Sequence, residues 1–452
     1  MALDYERLKH LDHTYLWHPF TQMQEWMNEE PCIVERGEGN YLVDVNGHKY
    51  LDGVSSLWCN VHGHRRRELD DALRTQLERI AHSTFLGLSH VPAIELAQKL
   101  VEIAPAGLRR VFYSDNGATA VEVALKIAIQ YWQLRGEKDR ARFATLAEAY
   151  HGDTVGSMSL GYSETFHRYH RHLLFSALRL NPPHFFRYYQ RMSDGDALSA
   201  AIDEAEKKIA QEGASLAALM VEPLMQGAAG MWAQPLGYVK ALQELCRKHG
   251  ILFVLDEVAT GFGRTGKMFA CEHDGVSPDI LCLAKGITGG YVPLAATLTT
   301  ERIFTAFLGE YKEFKTFFHG HTYTGNPLGC AVGLANLELF AKDKVLERMQ
   351  PKIAYLEQRL QEAFLSLRHV SDIRQWGFMV GIELVEDKDG RKNYLPERRI
   401  GHKVIIEARK RGVIIRPLGD VIILMPPLSI AEGELKTLLD ITYESISAVT
   451  EN

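Results

Sequence analysis

Lys285 stands where a nucleophilic amine would be placed. It follows the apolar run Asp279-Ile-Leu-Cys-Leu-Ala284 and precedes Gly286-Ile-Thr-Gly-Gly290. Burial at the end of such a run disfavours the ammonium form and lowers its pKa toward that of a usable amine, while the glycines let backbone approach a ligand closely. Asp256 sits in a like position, closing the run Ile251-Leu-Phe-Val-Leu255. A carboxylate there lies at the carboxyl end of a strand, where open α/β sheets bind ligands, and it needs a cationic partner such as a protonated pyridine nitrogen. On position alone it could equally cap a turn. A third feature, Ser114-Asp-Asn-Gly-Ala-Thr119, joins a short apolar run to a helical pattern carrying Val121, Ala124, Ala128 and Trp132. The backbone amides of Gly117 and Ala118 at that helix start, with the Thr119 hydroxyl nearby, form a site for a phosphate.

The elements that position these residues follow from hydrophobic period. From about residue 110, short apolar runs alternate with amphipathic stretches, which predicts βα units and a mostly parallel sheet. Strands are expected at Arg110–Ser114, Ala217–Glu222, Ile251–Leu255, Ile280–Ala284 and Ala295–Thr299, rich in apolar and β-branched residues. A helix is expected over Tyr238–His249, stopped by Gly250. Near the N-terminus, Tyr41–Val45 and His48–Leu51 flank Asn46-Gly47, the signature of a two-residue hairpin turn. Beyond about residue 335 the rhythm loosens into a smaller α+β region, with a helix expected over Pro396–Arg411 and strands at Gly381–Val385 and Val421–Met425.

With 452 residues, 46% of them hydrophobic, the chain can bury a large core and form two or more domains. A net charge of −6 gives no basic field for nucleic acid or an anionic membrane, so small-molecule chemistry is expected. The six scattered cysteines, without a C-x-x-C pair, read as reduced thiols. No leader-like apolar segment and no run of about 18 apolar residues is present, and the expected location is the cytoplasm. His62-Gly-His64, His319-Gly-His321 and the group His167, His170, His172 lack carboxylate or cysteine partners at ligand spacing, so no metal is expected. Arg65-Arg-Arg67 is balanced by Glu68, Asp70 and Asp71 and reads as a solvated helix start. Lys126 lies inside the expected helix from Val121 to Ile129, a poor place for the reactive amine.

The span Leu252 to Gly290, with Asp256-Glu-Val-Ala-Thr-Gly-Phe-Gly-Arg-Thr-Gly266 and then Lys285, resembles the signature of the class III pyridoxal-phosphate aminotransferases. The likeness runs nearly end to end. It implies an α/β fold of fold type I: a large domain with a mostly parallel seven-stranded sheet flanked by helices, plus a smaller α+β domain. Residues 1–70 are expected to contribute to the small domain and substrate pocket, 71–334 to form the large domain, and 335–452 the small one. The resemblance implies pyridoxal 5'-phosphate as cofactor, with Lys285, Asp256 and Tyr150 catalytic. Asn116, Gly117, Ala118, Tyr150, His151 and Val258 would hold the cofactor, and Thr322 would reach its phosphate across a homodimer interface.

Within the family, Leu16-Trp-His-Pro-Phe-Thr-Gln-Met23, Ser55-Ser-Leu-Trp58 and Ile415-Arg-Pro-Leu-Gly419 look like the branch that aminates 8-amino-7-oxononanoate in biotin biosynthesis. That likeness implies a substrate pocket of Phe20, Trp58, Tyr150, Asp153, Gly320 and His321, with Arg416 holding the substrate carboxylate. Ala228 stands where relatives that use 2-oxoglutarate carry a gating glutamate. Phe20, Leu57, His321 and Ile423 depart from the S-adenosylmethionine-using pattern and resemble relatives that use L-lysine, so either donor is possible. The alternatives are a class III enzyme for a diamine or a β- or ω-amino acid, and a pyridoxal-phosphate-binding regulatory protein without turnover.

Overall fold

The five strands expected between residues 110 and 299 all form in a computed structural model that describes residues 4–184, 188–189, 192–389 and 392–451. Their ends shift by a residue or two, and two short strands missed from the sequence join them. The result is a seven-stranded sheet of β1 (Leu108–Ser114), β2 (Arg142–Leu146), β3 (Leu178–Leu180), β4 (Leu216–Val221), β5 (Leu252–Asp256), β6 (Ile280–Leu283) and β7 (Ala295–Thr300). Its order is β1-β7-β6-β5-β4-β2-β3. β7 runs antiparallel to both neighbours, and the other adjacent pairs are parallel.

β4, β5 and β6 are buried along their whole length, as strands covered on both faces must be. Their residues alternate between two cores. Leu252 and Val254 pack with the helix Gly117–Leu134, whereas Phe253 and Leu255 pack on the side of the helix Tyr238–His249. That second helix has the expected bounds and stops at Gly250, whose left-handed backbone (φ 63°) closes its last turn.

Among the described residues the remaining strands make three smaller sheets, one of them only the antiparallel pair Met225–Gln226 and Trp232–Ala233. Val34–Glu38, Tyr41–Asp44 and Lys49–Asp52 form an antiparallel set, to which Val413–Ile414 adds in parallel. Val370–Trp376, Met379–Leu384, Val421–Leu424 and Arg416–Leu418 form the third. N-terminal and C-terminal segments therefore share a sheet. The expected boundary at residues 334 and 335 falls inside the helix Pro327–Lys342.

Two expectations need correction. The hairpin turn is not the two-residue Asn46-Gly47: the Asp44 amide donates to the His48 carbonyl, leaving Val45, Asn46 and Gly47 in the loop. Asp44 Oδ1 accepts from the amides of Asn46 and His48, and the Val45 amide is drawn away to the Ile33 carbonyl. The helix expected over Pro396–Arg411 breaks at Arg399 (φ 49°) into a short turn, Pro396–Arg398, and a helix, Ile400–Lys410. Among the described residues, no helix is long and apolar enough to cross a membrane.

Candidate active site

Because β1, β2, β4, β5 and β6 run parallel, the loops after their carboxyl ends gather at one edge of the sheet. They line a cavity of about 780 Å³ with Asp115–Ala118, Tyr150–Thr154, Glu222, Asp256 and Lys285 in its walls. Trp58, Leu57 and Ala228 complete part of the lining.

Asp256 ends β5 beside Cys282 of β6, and three residues further along Lys285 begins a short turn with a left-handed backbone (φ 46°). Burial pushes the Lys285 pKa below its ordinary value, and the negative charges of Asp256 and Glu222 pull it back up. The ammonium lies 5.6 Å from the ring centre of Trp58. Asp256 is 4% exposed. His151 Nδ1 donates to its Oδ2 at 2.7 Å, and the Val258 amide donates to Oδ1 at 3.0 Å. The aspartate thus faces the cavity and caps its turn as well. The next residue, Glu257, turns away into the core, where the amides of Ala270 and Cys271 donate to it.

At the other wall, Asn116 caps the helix Gly117–Leu134 by accepting from the Thr119 amide at 3.1 Å. The Thr119 hydroxyl accepts from the amides of Asp115 and Asn116 and donates to the Asn116 carbonyl. It is therefore engaged in the cap and unavailable to an anion, contrary to expectation. Gly117 and Ala118 keep amides that donate to no described residue, and both lie in the cavity wall. A Cβ at residue 117 would lie 2.6 Å from Val258 Cγ1, which is why glycine is needed there.

Tyr150 donates its hydroxyl to Asp153 Oδ2 at 2.7 Å, and its phenol pKa is pushed upward by burial and by that contact. The Trp58 Nε1 is buried without a hydrogen-bond partner among the described residues. Lys285, Asp256, Asn116, Gly117, Ala118, Tyr150, His151, Val258, Trp58 and Asp153 are thus brought to one cavity. Phe20, Gly320, His321, Thr322 and Arg416 are outside its walls. Phe20 is 65% exposed and meets Phe166 edge-on. Gly320 and Thr322 are exposed on a loop whose His321 binds Asp115 Oδ2 at 2.5 Å. Arg416 lies on its short strand, half-buried and without an ion pair among the described residues. Ile423 is fully buried behind Trp58.

The sequence reading missed Glu222. It is 5% exposed, lines the cavity, and accepts from the Tyr150 amide at 3.0 Å and the Gly227 amide at 3.1 Å. The signal was present, since an acid that closes a buried apolar run is the same pattern that singled out Asp256. Among the described residues, no group of three or more His, Cys, Asp or Glu side chains is placed to hold a metal.

The donor set fits pyridoxal phosphate: an amine of lowered pKa, a buried carboxylate, and two free amides at a helix start that suit a phosphate. Comparison with known proteins agrees. The sequence pattern of the class III aminotransferases matches residues 22–446. Adenosylmethionine-8-amino-7-oxononanoate aminotransferase of Nitratidesulfovibrio vulgaris is 56% identical over 448 residues, 99% of this chain and 82% of that protein. The enzyme of the same name from Methanocaldococcus jannaschii has a crystal structure that superposes with a TM-score of 0.93 at 48% identity, covering 99% of this chain and 100% of that one. An amine transaminase from an uncultivated Pseudomonas species, crystallised in its PLP-bound form, superposes with a TM-score of 0.91 at 36% identity, covering 96% and 99%. The fold is that of fold type I. Likeness of this extent takes in both the sheet and the loops that build the cavity, and the chain belongs to the class III aminotransferases.

Proposed function

We propose that this protein is a pyridoxal-phosphate-dependent transaminase that converts 8-amino-7-oxononanoate to 7,8-diaminononanoate, a step of biotin biosynthesis. The observation that supports it most is the Lys285 amine facing the same cavity as Asp256 and the free amides of Gly117 and Ala118, in a chain similar over 99% of its length to relatives of that name. Bound pyridoxal phosphate supplies a carbonyl that receives the amino group and a ring that accepts the electron pair left by a departing proton.

Lys285 would hold the cofactor and carry a proton between the substrate carbon and the cofactor, in one direction with the donor and in the other with the acceptor. Its lowered pKa suits that exchange. Asp256, oriented by His151, would pair its negative charge with a protonated ring nitrogen, and Tyr150 would pack against the ring. Gly117 and Ala118 hold the phosphate, and Thr322 completes that site from a second copy in a homodimer. Arg416 holds the carboxylate of the acceptor, while Phe20, Trp58, Asp153, Gly320 and His321 shape the remainder. Residues 1–70 and 335–452 form the small domain around the large one, and the protein works in the cytoplasm.

The relatives' names point to S-adenosylmethionine as donor. Leu57, which lines the cavity, and His321, held by Asp115 at its rim, keep L-lysine as the second reading. Incubating the cofactor-loaded protein with 8-amino-7-oxononanoate and each donor in turn, and detecting 7,8-diaminononanoate by mass, tests both. Product with either donor supports the function and assigns the donor, whereas no product with any amino donor refutes it.

A further inference from the structure

Glu222 is a buried carboxylate with no catalytic assignment, and it stands between two walls of the cavity. One oxygen accepts from the amide of Tyr150, on the loop after β2, and the other from the amide of Gly227, in the turn that places Ala228 in the lining. That turn packs on Trp58, since a Cβ at Gly227 would lie 3.2 Å from its ring. No cation pairs with Glu222 among the described residues. Two amide donors on two oxygens suit an ionised carboxylate, because a protonated or amidated group would turn a donor toward one of them. Its charge is felt at Lys285, where it adds to that of Asp256 in favouring the ammonium form.

We propose that Glu222 is a positioning residue of the transamination site, clamping Tyr150 to the Gly227–Ala228 turn and, through its charge, setting how readily Lys285 releases its proton. The proposal rests on the reading of Lys285 as the cofactor lysine. Burial and the neighbouring Asp256 hold the Glu222 pKa up at about 7, with His151 acting against them, so the clamp changes charge close to neutrality. Asp256, Glu222, Cys59 and Arg264 are the charged or titratable groups that act on Lys285. Of these, Glu222 is the group whose side chain joins the loop of Tyr150 to the turn of Gly227.

The test uses the cofactor-free protein. Lys285 is acetylated with acetic anhydride across a range of pH, and its labelling is followed by peptide mass in the wild type, Glu222→Gln and Glu222→Asp. The Lys285 midpoint is expected to fall by about one pH unit in Glu222→Gln and to return toward the wild-type value in Glu222→Asp. An unchanged midpoint in a folded Glu222→Gln protein overturns the proposal, even if its melting temperature is lower. Should Glu222→Gln not fold, the wild-type curve decides. A second step near neutral pH is the expected form, and a single simple titration overturns it. Protection of Lys285 by added pyridoxal phosphate is scored separately. Its absence would refute the cofactor reading and leave the effect of Glu222 on Lys285 standing.

Discussion

At the residue scale, two buried acids differ in what they do for the protein. Asp256 is hydrogen-bonded by His151 and faces the cavity, so replacing it with asparagine keeps the shape and removes the charge. Asp256→Asn is expected to retain cofactor while losing turnover by about a hundredfold or more, read as kcat. Near-normal kcat would contradict its proposed role as partner of the ring nitrogen. Glu222 predicts a dependence of stability on pH. Its pKa rises from 4.5 to about 7 on folding, so the folded chain binds the proton more tightly than the unfolded chain. Stability is therefore gained as pH falls through that interval, and the buried charge costs about 3 kcal/mol above it. In cofactor-free protein, the stability of the wild type relative to Glu222→Gln should decline by up to that amount between about pH 5 and about pH 8. A difference that does not move with pH contradicts this. Lys285 and Asp256 were legible in the sequence because each ends an apolar run. Glu222 obeys the same rule but sits beside Pro223 in no glycine-rich setting, so its role emerged only when its two amide partners were seen.

At the scale of elements, the strand and helix junctions do the positioning. The turn from β1 into the helix Gly117–Leu134 holds its two free amides because Gly117 lies against Val258 without a side chain. Gly117→Ala is expected to weaken pyridoxal-phosphate binding by about tenfold or more, as a single lost anion contact would. Val258→Ala in the same chain should restore part of it, and equilibrium titration of the cofactor checks both. Asn116→Ala removes the cap and should cost about 1 kcal/mol in unfolding free energy. The central strands were readable because burial on both faces leaves an unbroken apolar run. The strands β2 and β3 were not, since Arg142 and Thr145 interrupt Arg142–Leu146 and Arg179 interrupts Leu178–Leu180, so neither shows as an unbroken apolar run. Local hydrogen bonding defeated the hairpin turn, where the Asp44 carboxylate captures two amides and widens the loop. Thr119 was misread for the same reason: a hydroxyl beside a helix start serves the cap before it serves a ligand.

At the scale of the whole molecule, the proposed homodimer gives Thr322 its role, since that residue stands outside the cavity of a single chain. Thr322 is exposed, and large apolar side chains such as Leu86 (90%), Phe318 (77%) and Tyr323 (60%) are exposed with it. The proposed homodimer interface would cover such side chains. Leu86→Asp is expected to shift the protein toward monomer in light scattering and to weaken cofactor retention together, and a monomer with full cofactor affinity would contradict the shared phosphate site. Sequence spacing cannot reveal such residues, because a partner's contribution leaves no periodic trace in the chain that receives it. The account as a whole turns on Lys285. Protein loaded with pyridoxal phosphate, reduced with borohydride and digested, should yield one peptide bearing the cofactor's mass, on Lys285; the label on another lysine, or no label, would contradict the account.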